Sequence, residues 1–570
     1  MASYLSKVSG STPLSSIRDT AISVGVLYRR GFLRPSGLVG GVHAFRIARS
    51  HGALVAAFAP SLRQKPDAPA IVDERGAMSY REIDRQSNAL ARYLRRAGVG
   101  DGGVVAVLCR DHRGLVLSML AAGKAGARLV LMNTGFGGPQ LADVVNREGV
   151  SLIVHDSEFS GLASHLPARV ERLLAWIDPG EEPVHPTMSI DRIVSSLPTV
   201  PLAKRGRPGG LVLLTSGTTG TPKGAPRERV SPLMSAQLLH RIPLTRGGAM
   251  VIAAPCFHGT GLSQMMLGVA MGKLLVFQQR KFDPVLTLEN IQRYRANTLV
   301  VVPTMLRRIV DLGAAEIAKH DHSSLRVLFT AGSALSPDLA RRTRAIFGPV
   351  LYNLYGSTEV AVATVATPED LEREPGCAGR PPVGCTVALY DAQRKQITAV
   401  NTRGAIFVSS GLSFSAYTDG RVKECVDGLL CTGDMGHFTS DRLLVVEGRE
   451  DDMIVSGGEN VYPQEIENLL LARDDVRDAA IVGVDDPEFG KRLYAFVVRS
   501  SSENHGEDQD LADEIKKYIR ANLARYKVPR AVRFVTEFPR NSTGKLLRSE
   551  LVRMAGEPEN SSQVRREIES

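Results

Sequence analysis

The sequence predicts a multi-domain α/β protein, in which a large N-terminal domain of layered α/β sheets with a β-rich subdomain precedes a small α+β C-terminal domain. A chain of 570 residues is too long for one ordinary hydrophobic core. Short apolar strands alternate with amphipathic helices up to residue 352, which is typical of layered α/β domains. Residues 377–446 are instead rich in strands and turns, and a smaller α+β unit follows a charged bend at 449–452. The predicted units are a basic N-terminal arm at 1–52, a large domain at 53–449, a small domain at 450–550 and a polar tail at 551–570.

The elements of the large domain follow from hydrophobic periodicity. Tyr80–Gly98 has its apolar residues at helical spacing, and Leu115–Ala125 is an apolar helix between two predicted strands, Gly103–Leu108 and Arg128–Met132. Ala249–Gly272 is uncharged and close to membrane-spanning length, but its proline, its histidine and its four glycines favour a buried strand, loop and helix. We therefore predict no transmembrane helix.

The net charge of +10 is concentrated at the N-terminus, where residues 1–50 carry seven basic side chains and a single acid, Asp19. No recognition motif for nucleic acid accompanies this charge, so we predict no nucleic-acid partner. The arm either contacts a phosphate-rich membrane surface or is simply solvated; a mitochondrial transit peptide is a further alternative. The predicted location is the bacterial cytoplasm, with peripheral contact to the inner membrane through residues 1–50. The sequence leaves the oligomeric state open.

The six cysteines are scattered along the chain, with no pair at metal-ligand spacing. This distribution argues against a zinc site and against a disulfide framework.

A loop rich in glycine and hydroxyl residues follows a short buried strand at Gly210–Leu214. Thr215–Gly224 reads TSGTTGTPKG, with three glycines, five hydroxyl residues and one lysine. Such a loop can present backbone N–H groups and a positive charge to a phosphate. The same composition also suits an ordinary surface turn, and the spacing differs from that of a Walker A loop.

Four further segments accompany this loop in a fixed order. They are Tyr355–Glu359 (YGSTE), Gly428–Asp434 (GLLCTGD), Ser456–Glu467 (SGGENVYPQEIE) and Pro539–Leu547 (PRNSTGKLL). Together with TSGTTGTPKG they resemble the signature motifs of the adenylate-forming superfamily, which contains acyl-CoA synthetases, peptide-synthetase adenylation domains and luciferases. The resemblance covers roughly residues 53–550 and makes 53–449 the AMP-binding adenylation domain.

The resemblance implies that the enzyme uses ATP, Mg²⁺ and CoA, and that the small domain is mobile and carries the catalytic lysine. It assigns a hinge to Asp451 and a magnesium ligand to Glu359. The implied catalytic residues are Lys545, Thr218, Lys223 and His258. The implied nucleotide- and CoA-binding residues are Thr215, Ser216, Gly217, Thr219, Gly220, Gly332, Ser333, Tyr355, Gly356, Thr358, Asp434, Arg449, Gly457 and Gly458.

The segment Pro255–Gly261 (PCFHGTG) resembles the acyl-CoA synthetase motif whose histidine, here His258, lines the acyl pocket. Together these resemblances predict a fatty-acyl-CoA ligase, which forms acyl-AMP with release of pyrophosphate and then transfers the acyl group to CoA. The substrates and partners predicted are therefore a fatty acid and CoA. An acyl-AMP ligase that loads a carrier protein, an aryl-CoA ligase and a non-catalytic acyl or nucleotide sensor remain as alternatives.

Overall fold

The structure is a computed structural model that describes residues 13–32, 46–178, 180–181, 188–202, 208–214, 223–227, 235–278, 281–414, 416–456, 459–486, 490–500, 508–541 and 544–556. The helices are α1 (Pro13–Arg29), α2 (Ala53–Gln64), α3 (Tyr80–Arg96), α4 (Arg113–Ala125), α5 (Gly138–Arg147), α6 (Ser160–Ala163), α7 (Ile190–Ser196), α8 (Ser235–Arg241), α9 (Gly259–Ala270), α10 (Pro284–Arg293), α11 (Pro303–Val310), α12 (Ala314–Ile317), α13 (Pro337–Phe347), α14 (Pro368–Arg373), α15 (Pro463–Leu470), α16 (Asp508–Asn522) and α17 (Arg548–Gly556). The strands are β1 (Pro69–Asp73), β2 (Gly76–Ser79), β3 (Val104–Leu108), β4 (Arg128–Leu131), β5 (Leu152–Asp156), β6 (Glu171–Trp176), β7 (Leu211–Leu214), β8 (Gly224–Arg227), β9 (Ala249–Ile252), β10 (Leu274–Phe277), β11 (Ala296–Val301), β12 (Val327–Ala331), β13 (Leu351–Tyr355), β14 (Thr364–Ala366), β15 (Cys385–Tyr390), β16 (Gln396–Ile397), β17 (Gly404–Ser410), β18 (Cys425–Val426), β19 (Leu429–Phe438), β20 (Leu444–Arg449), β21 (Ile454–Ser456), β22 (Glu459–Val461), β23 (Val476–Asp486), β24 (Gly490–Arg499) and β25 (Ala531–Phe534).

Two mainly parallel sheets form the centre of the large domain. The first has the strand order β14-β13-β12-β11-β9-β10-β1-β2 and is parallel except at its two edge strands. The second has the order β6-β5-β3-β4-β7-β8 and is parallel except for β8. Inner strands such as β11 and β12 are almost continuously buried, as expected where both faces of a parallel sheet are covered.

The two sheets share one hydrophobic core. Leu90 of α3 and Leu120 of α4 belong to the same buried cluster as Leu129 of the second sheet and Met250 and Phe329 of the first. Helix α3 begins at a capping box, in which the Ser79 side chain accepts from the Glu82 backbone and the Glu82 carboxylate accepts from the Ser79 backbone. The capping box fixes where the helix begins, and its apolar face packs against the core.

A third, antiparallel sheet of order β16-β15-β17-β19-β18, with β20 paired to β19, completes the large domain. The small domain contains the sheet β23-β24-β25 and the hairpin β21-β22, and it has a core of its own around Ile481, Ala495 and Ile515. Among the residues described, none of the helices has the length and apolar character needed to cross a membrane.

The register of the first sheet places two sequence motifs side by side. Strands β12 and β13 run parallel with Thr330 opposite Asn353, so that the residues following each strand emerge at the same edge. Ligand sites of open α/β sheets form at such carboxyl edges. The segment 332–335 and the Tyr355–Glu359 motif are therefore neighbours although about twenty residues separate them along the chain.

The strands and helices that the sequence places individually in the large domain are present with ends that differ by a residue or two. Others, such as α5 and α7, were not placed individually. Helix α1 lies in the predicted basic arm and buries Val26 and Leu27 in the large-domain core. This helix was not predicted because the segment is rich in arginine and its buried face is only a few residues wide.

The buried ion pair between Asp73 and Arg113 joins the end of β1 to the start of α4. The Asp73 side chain is 2% exposed, Arg113 Nη2 lies 2.6 Å from its Oδ1, and the Arg113 backbone donates to Oδ2 at 2.9 Å. We expect Arg113→Ala to lower the free energy of unfolding by about 3 kcal/mol, because it leaves a buried carboxylate without its counter-charge. Urea unfolding measures this. The exposed pair between Arg81 and Asp67 provides the control, since Arg81→Ala should keep the wild-type midpoint. Equal midpoints for the two variants would contradict the prediction.

Candidate active site

A cavity of about 2130 Å³ lies at the carboxyl edge of the first sheet. Its lining includes Gly332 and Tyr355 from that edge, Asp434 from the third sheet and Lys545 from the small domain. Ordinary small-molecule sites have volumes of roughly 300–1,000 Å³, so this cavity can hold more than one substrate at a time. Groups from three structural units therefore face the same bound molecules.

Asp434, Tyr355 and Arg449 form one polar cluster in the cavity wall. Asp434 on β19 pairs in register with Arg449 on β20. The Tyr355 hydroxyl donates to Asp434 Oδ2 at 2.5 Å, and Arg449 Nη1 lies 3.5 Å from Asp434 Oδ1. Burial raises the pKa of the Asp434 carboxyl, while the Tyr355 hydroxyl, Arg449 and Lys545 oppose that rise. The arrangement presents a fixed acceptor beside a cation, which suits the hydroxyls of a ribose.

Glu359 lies behind this cluster with Tyr417 and Lys223. The Tyr417 hydroxyl donates to Glu359 Oε1, and Lys223 Nζ lies 5.1 Å from the centre of the Tyr417 ring. Burial favours the neutral form of Glu359, but hydrogen bonds from Tyr417 and Ser357 outweigh it, so that the pKa of Glu359 lies below its usual value. An ionised carboxylate and a lysine thus lie on one side of the cavity.

The segment after β12 and the end of β13 form a polar shelf. Gly332 has φ +101°, a left-handed conformation that glycine adopts without strain, and Ser333 follows it in the cavity lining. Asn353 on the adjacent strand lines the same space, and its buried Oδ1 has no hydrogen-bond partner within the described chain. A buried acceptor of this kind fits the amino group of a nucleobase. Gly356 and Thr358 complete this part of the lining.

His258 lies at the start of α9, on the other side of the cavity. Its Nε2 is buried and unpartnered among the described residues, and burial lowers the pKa of the imidazole to about 4. Leu262 and Met266, one and two turns further along α9, line the cavity beside it. The ring is therefore neutral at physiological pH. It lies at the boundary between the polar and the apolar parts of the cavity lining.

The loop that carries Lys545 is docked against the large domain. Within the loop, the backbone N–H of Lys545 donates to Asn541 Oδ1 at 2.9 Å, and Gly544 has φ +74°. A Cβ at Gly544 would lie 2.1 Å from Thr304 Oγ1. A second contact between the domains joins Arg307 Nη1 to the carbonyl of Arg477 at 2.9 Å. Lys545 is close enough to stabilise the charged forms of Asp434 and Asp451.

Asp451 lies between the two domains and is paired with Arg449, the arginine that also approaches Asp434 in the cavity wall. Arg449 Nε donates to Asp451 Oδ1 at 2.9 Å while Nη1 of the same guanidinium approaches Asp434. Burial favours the neutral form of Asp451, but Arg449 outweighs it and the pKa of the carboxyl falls below its usual value. One guanidinium therefore links the boundary between the domains to the cavity wall.

Several predicted site residues lie outside the described residues. These are Thr215, Ser216, Gly217, Thr218, Thr219, Gly220, Gly457 and Gly458.

Four cavity residues had no signal in the sequence. Tyr417 and Lys423 lie in the connection between β17 and β18, and Lys423 favours the charged forms of both Glu359 and Asp434. Asn353 lies on the buried strand β13 and Arg307 on the helix α11, and neither belongs to a recognisable motif. Only the strand register and the docking of the small domain bring these residues to the site.

Comparison with known proteins identifies the fold and the family. A family described as AMP-binding enzyme matches residues 58–418, and one described as AMP-binding enzyme C-terminal domain matches residues 465–545. The chain is 31% identical over 499 residues to a feruloyl-CoA synthase of Amycolatopsis sp, covering 87% of this chain and 97% of that protein. It is 27% identical over 513 residues to a fatty acid–[acyl-carrier-protein] ligase of Streptomyces coeruleorubidus, covering 86% and 94%.

The fold also matches that of the o-succinylbenzoate CoA synthetase of Bacillus subtilis in complex with its acyl-adenylate intermediate. The TM-score is 0.74 at 25% sequence identity, and the match covers 88% of this chain and 97% of that chain. These matches confirm the predicted α/β fold and the predicted superfamily. The chain belongs to the AMP-binding enzyme family of adenylate-forming proteins.

Proposed function

We propose that the protein is an ATP-dependent, AMP-forming ligase that joins a fatty acid to CoA through an acyl-adenylate. The docking of Lys545 into the cavity that also contains Asp434 and His258 carries this proposal. It brings a cation from the small domain to a cavity whose polar lining suits a nucleotide and whose apolar lining suits an acyl chain. The names of the relatives support CoA ligation in general.

The chemistry explains why cations are needed at this point. In the first step a carboxylate oxygen attacks the α-phosphorus of ATP, the bond to the β-phosphate oxygen breaks, and pyrophosphate leaves. Two anions must approach one another, so Lys545, Arg449 and Lys223 stabilise the charge that develops in the transition state. In the second step the thiolate of CoA attacks the acyl carbonyl and AMP leaves. No nucleophilic side chain is required.

The residues present fit the nucleotide and its metal. Asp434 and Tyr355 would bind the ribose hydroxyls, and Asn353 would accept from the base. Glu359 provides one ionised carboxylate, and Mg²⁺ in nucleotide sites takes one or two carboxylates together with substrate phosphates. When bound, Mg²⁺ neutralises charge on the phosphates. Thr218 and the rest of the 215–220 loop would contribute phosphate contacts.

The second half-reaction needs a different arrangement. We infer that the small domain turns about Asp451, which withdraws Lys545 and brings Gly457 and Gly458 to the cavity for thioester formation. The pairing of Arg449 with both Asp434 and Asp451 supports this, because a ligand that binds Arg449 weakens the ion pair between Arg449 and Asp451 at the hinge. Domain closure of this kind completes one site for two steps.

A fatty acid is proposed because the acyl half of the cavity is apolar. Leu54, Leu262 and Met266 line it, and its described part contains no carboxylate that could pair with an amino-acid substrate. An aryl acid is the second candidate, since the feruloyl-CoA relative is similar over nearly its whole length. A carrier protein in place of CoA is the third, on the evidence of the carrier-protein ligase relative.

The proposal is tested by pyrophosphate release over a panel of fatty and aryl acids, with and without CoA. We expect CoA-dependent turnover on one chain-length class of fatty acids. Lys545→Ala should slow adenylate formation by about 10²–10³-fold, the usual effect of removing a charge-stabilising donor, and should affect thioester formation from supplied acyl-AMP far less. The exposed Lys517→Ala is the matched control. Turnover only with aryl acids, or adenylate that does not react with CoA, would replace the proposal by one of its alternatives.

The docking of the loop that carries Lys545 predicts the effect of a substitution at Gly544. Gly544→Ala should lower the rate of adenylate formation by about 10²-fold, because the added Cβ collides with Thr304 and displaces Lys545 by an ångström or more. Pyrophosphate release in single-turnover experiments measures the effect. Gly490→Ala is the control, since Gly490 also has a positive φ (+70°) in the small domain but its added Cβ meets none of the described residues within 4 Å. Wild-type adenylation by Gly544→Ala would show that the observed docking is not the adenylating state.

The buried neutral His258 predicts a dependence of stability on pH. The pKa of His258 is about 4 in the folded chain and 6.5 when the side chain is exposed. Between pH 6.5 and pH 4 the imidazole is therefore protonated in the unfolded chain but neutral in the folded chain. Above pH 6.5 the imidazole is neutral in both states and does not affect stability. As the pH falls toward 4, protonation of the unfolded chain lowers the free energy of unfolding, by roughly 2–3 kcal/mol at pH 4.5. Urea unfolding of His258→Gln at pH 7.5 and 4.5 should therefore show a smaller loss than the wild type. The exposed His165→Gln should keep the wild-type loss; an unchanged loss in His258→Gln would contradict the prediction.

A further inference from the structure

Helix α1 exposes a narrow apolar stripe to solvent. Ile17, Val24 and Tyr28 are 67%, 43% and 61% exposed, and their spacing of seven and four residues places them on one face. The opposite face is buried, with Val26 and Leu27 in the large-domain core. The helix is thus fixed to the protein on one side and presents large apolar side chains on the other.

Exposed arginines accompany this stripe on α1 and on the segment 46–64. Arg18 and Arg29 are exposed on α1 itself, and Arg46, Arg49 and Arg63 are exposed on the segment 46–64. The single acid of the described part of the arm, Asp19, is half-buried and close to His240 and Cys385 in the protein interior. We call the exposed residues Ile17, Arg18, Val24, Tyr28, Arg29, Arg49 and Arg63 the α1 face.

The cavity of the candidate active site extends to the α1 face. Gly31, directly after α1, lines the cavity together with Arg49 and Arg63. Arg246 Nη1 donates to the Gly31 carbonyl at 3.2 Å, which ties the end of α1 to the cavity wall. Between this end and His258 the lining is supplied by α2 and α9, which are joined by a hydrogen bond from Ser61 Oγ to the Val269 carbonyl at 2.8 Å.

We propose that the α1 face docks on an anionic lipid bilayer and that the acid enters the cavity from the membrane beside Gly31. Exposed apolar side chains rimmed by arginines are the composition of interfacial helices, and clustered basic residues are attracted to anionic leaflets. Acids with long apolar tails partition into bilayers, so a cavity that opens at the membrane surface is exposed to a high local concentration of substrate. This inference rests on the proposed function for its substrate and on the α1 face alone for its lipid contact.

Flotation of the full chain with vesicles tests the lipid contact. The wild type should bind vesicles of phosphatidylcholine with phosphatidylglycerol, and bind pure phosphatidylcholine vesicles much more weakly. Arg18→Glu/Arg29→Glu should lower binding to the anionic vesicles by at least about tenfold, since each basic residue at such a surface contributes roughly fivefold. Arg341→Glu/Arg520→Glu makes the same charge change at exposed sites away from the α1 face and should bind as the wild type does.

Activity distinguishes failure of this inference from failure of the proposed function. With a long-chain acid presented in anionic vesicles, Arg18→Glu/Arg29→Glu should form acyl-CoA more slowly, while its rate with a short water-soluble acid stays at the wild-type value, since neither residue lines the cavity. Wild-type binding of vesicles by this variant, or no binding by the wild type, overturns the docking surface. A dimer in analytical ultracentrifugation that Ile17→Ser/Val24→Ser dissociates would assign the stripe to a second copy and also overturn it. Vesicle binding without acyl-CoA formation from any acid would leave the docking surface intact and refute the proposed function.

Discussion

The electrostatic repulsion between a carboxylate and a triphosphate is the constraint on which the rest of the structure depends. Both substrates are anions, and they must meet within a single cavity that is partly shielded from water, where charge interactions are strong. The protein meets this constraint by bringing cations from separate elements to one end of the cavity. These are Lys223, Arg307, Lys423, Arg449 and Lys545. Around His258 the side chains of α9 that line the cavity are apolar, so the charged groups of the substrates are directed toward the cations near Asp434.

The division into two domains follows from the same constraint. A cation held permanently against the carboxylate and phosphates would obstruct the thiol that attacks later from the same cavity. Lys545 is instead placed on a loop whose close contact with Thr304 depends on a glycine, and the contact between the domains at Arg307 is a single hydrogen bond to a carbonyl. Such contacts position the side chain, and in the proposed mechanism they break when the small domain turns. The pairing of Arg449 with Asp434 and Asp451 links the state of the cavity to the boundary between the domains.

The sequence predicted those features that depend on local pattern. Strand and helix periodicity gave the layered α/β domain, and the motifs around Tyr355, Asp434 and Lys545 gave the family. Residues whose role depends on neighbours distant in sequence were not predicted: Asn353 reaches the site through the register of β12 and β13, and Tyr417 reaches Glu359 from the connection between β17 and β18. Helix α1 was missed because its buried face is narrow. The identity of the acid is not encoded in any motif, since it depends on the shape of the cavity beyond His258.

The attack of a carboxylate on the α-phosphorus is the central claim, and isotope transfer tests it most directly. An acid labelled with ¹⁸O in both carboxylate oxygens is incubated with ATP, Mg²⁺, CoA and the enzyme, and the nucleotide and phosphate products are analysed by mass spectrometry. An acyl-adenylate requires that one ¹⁸O atom appears in AMP and none in pyrophosphate. Label in inorganic phosphate, together with ADP in place of AMP, would show attack at the γ-phosphorus and would contradict the account.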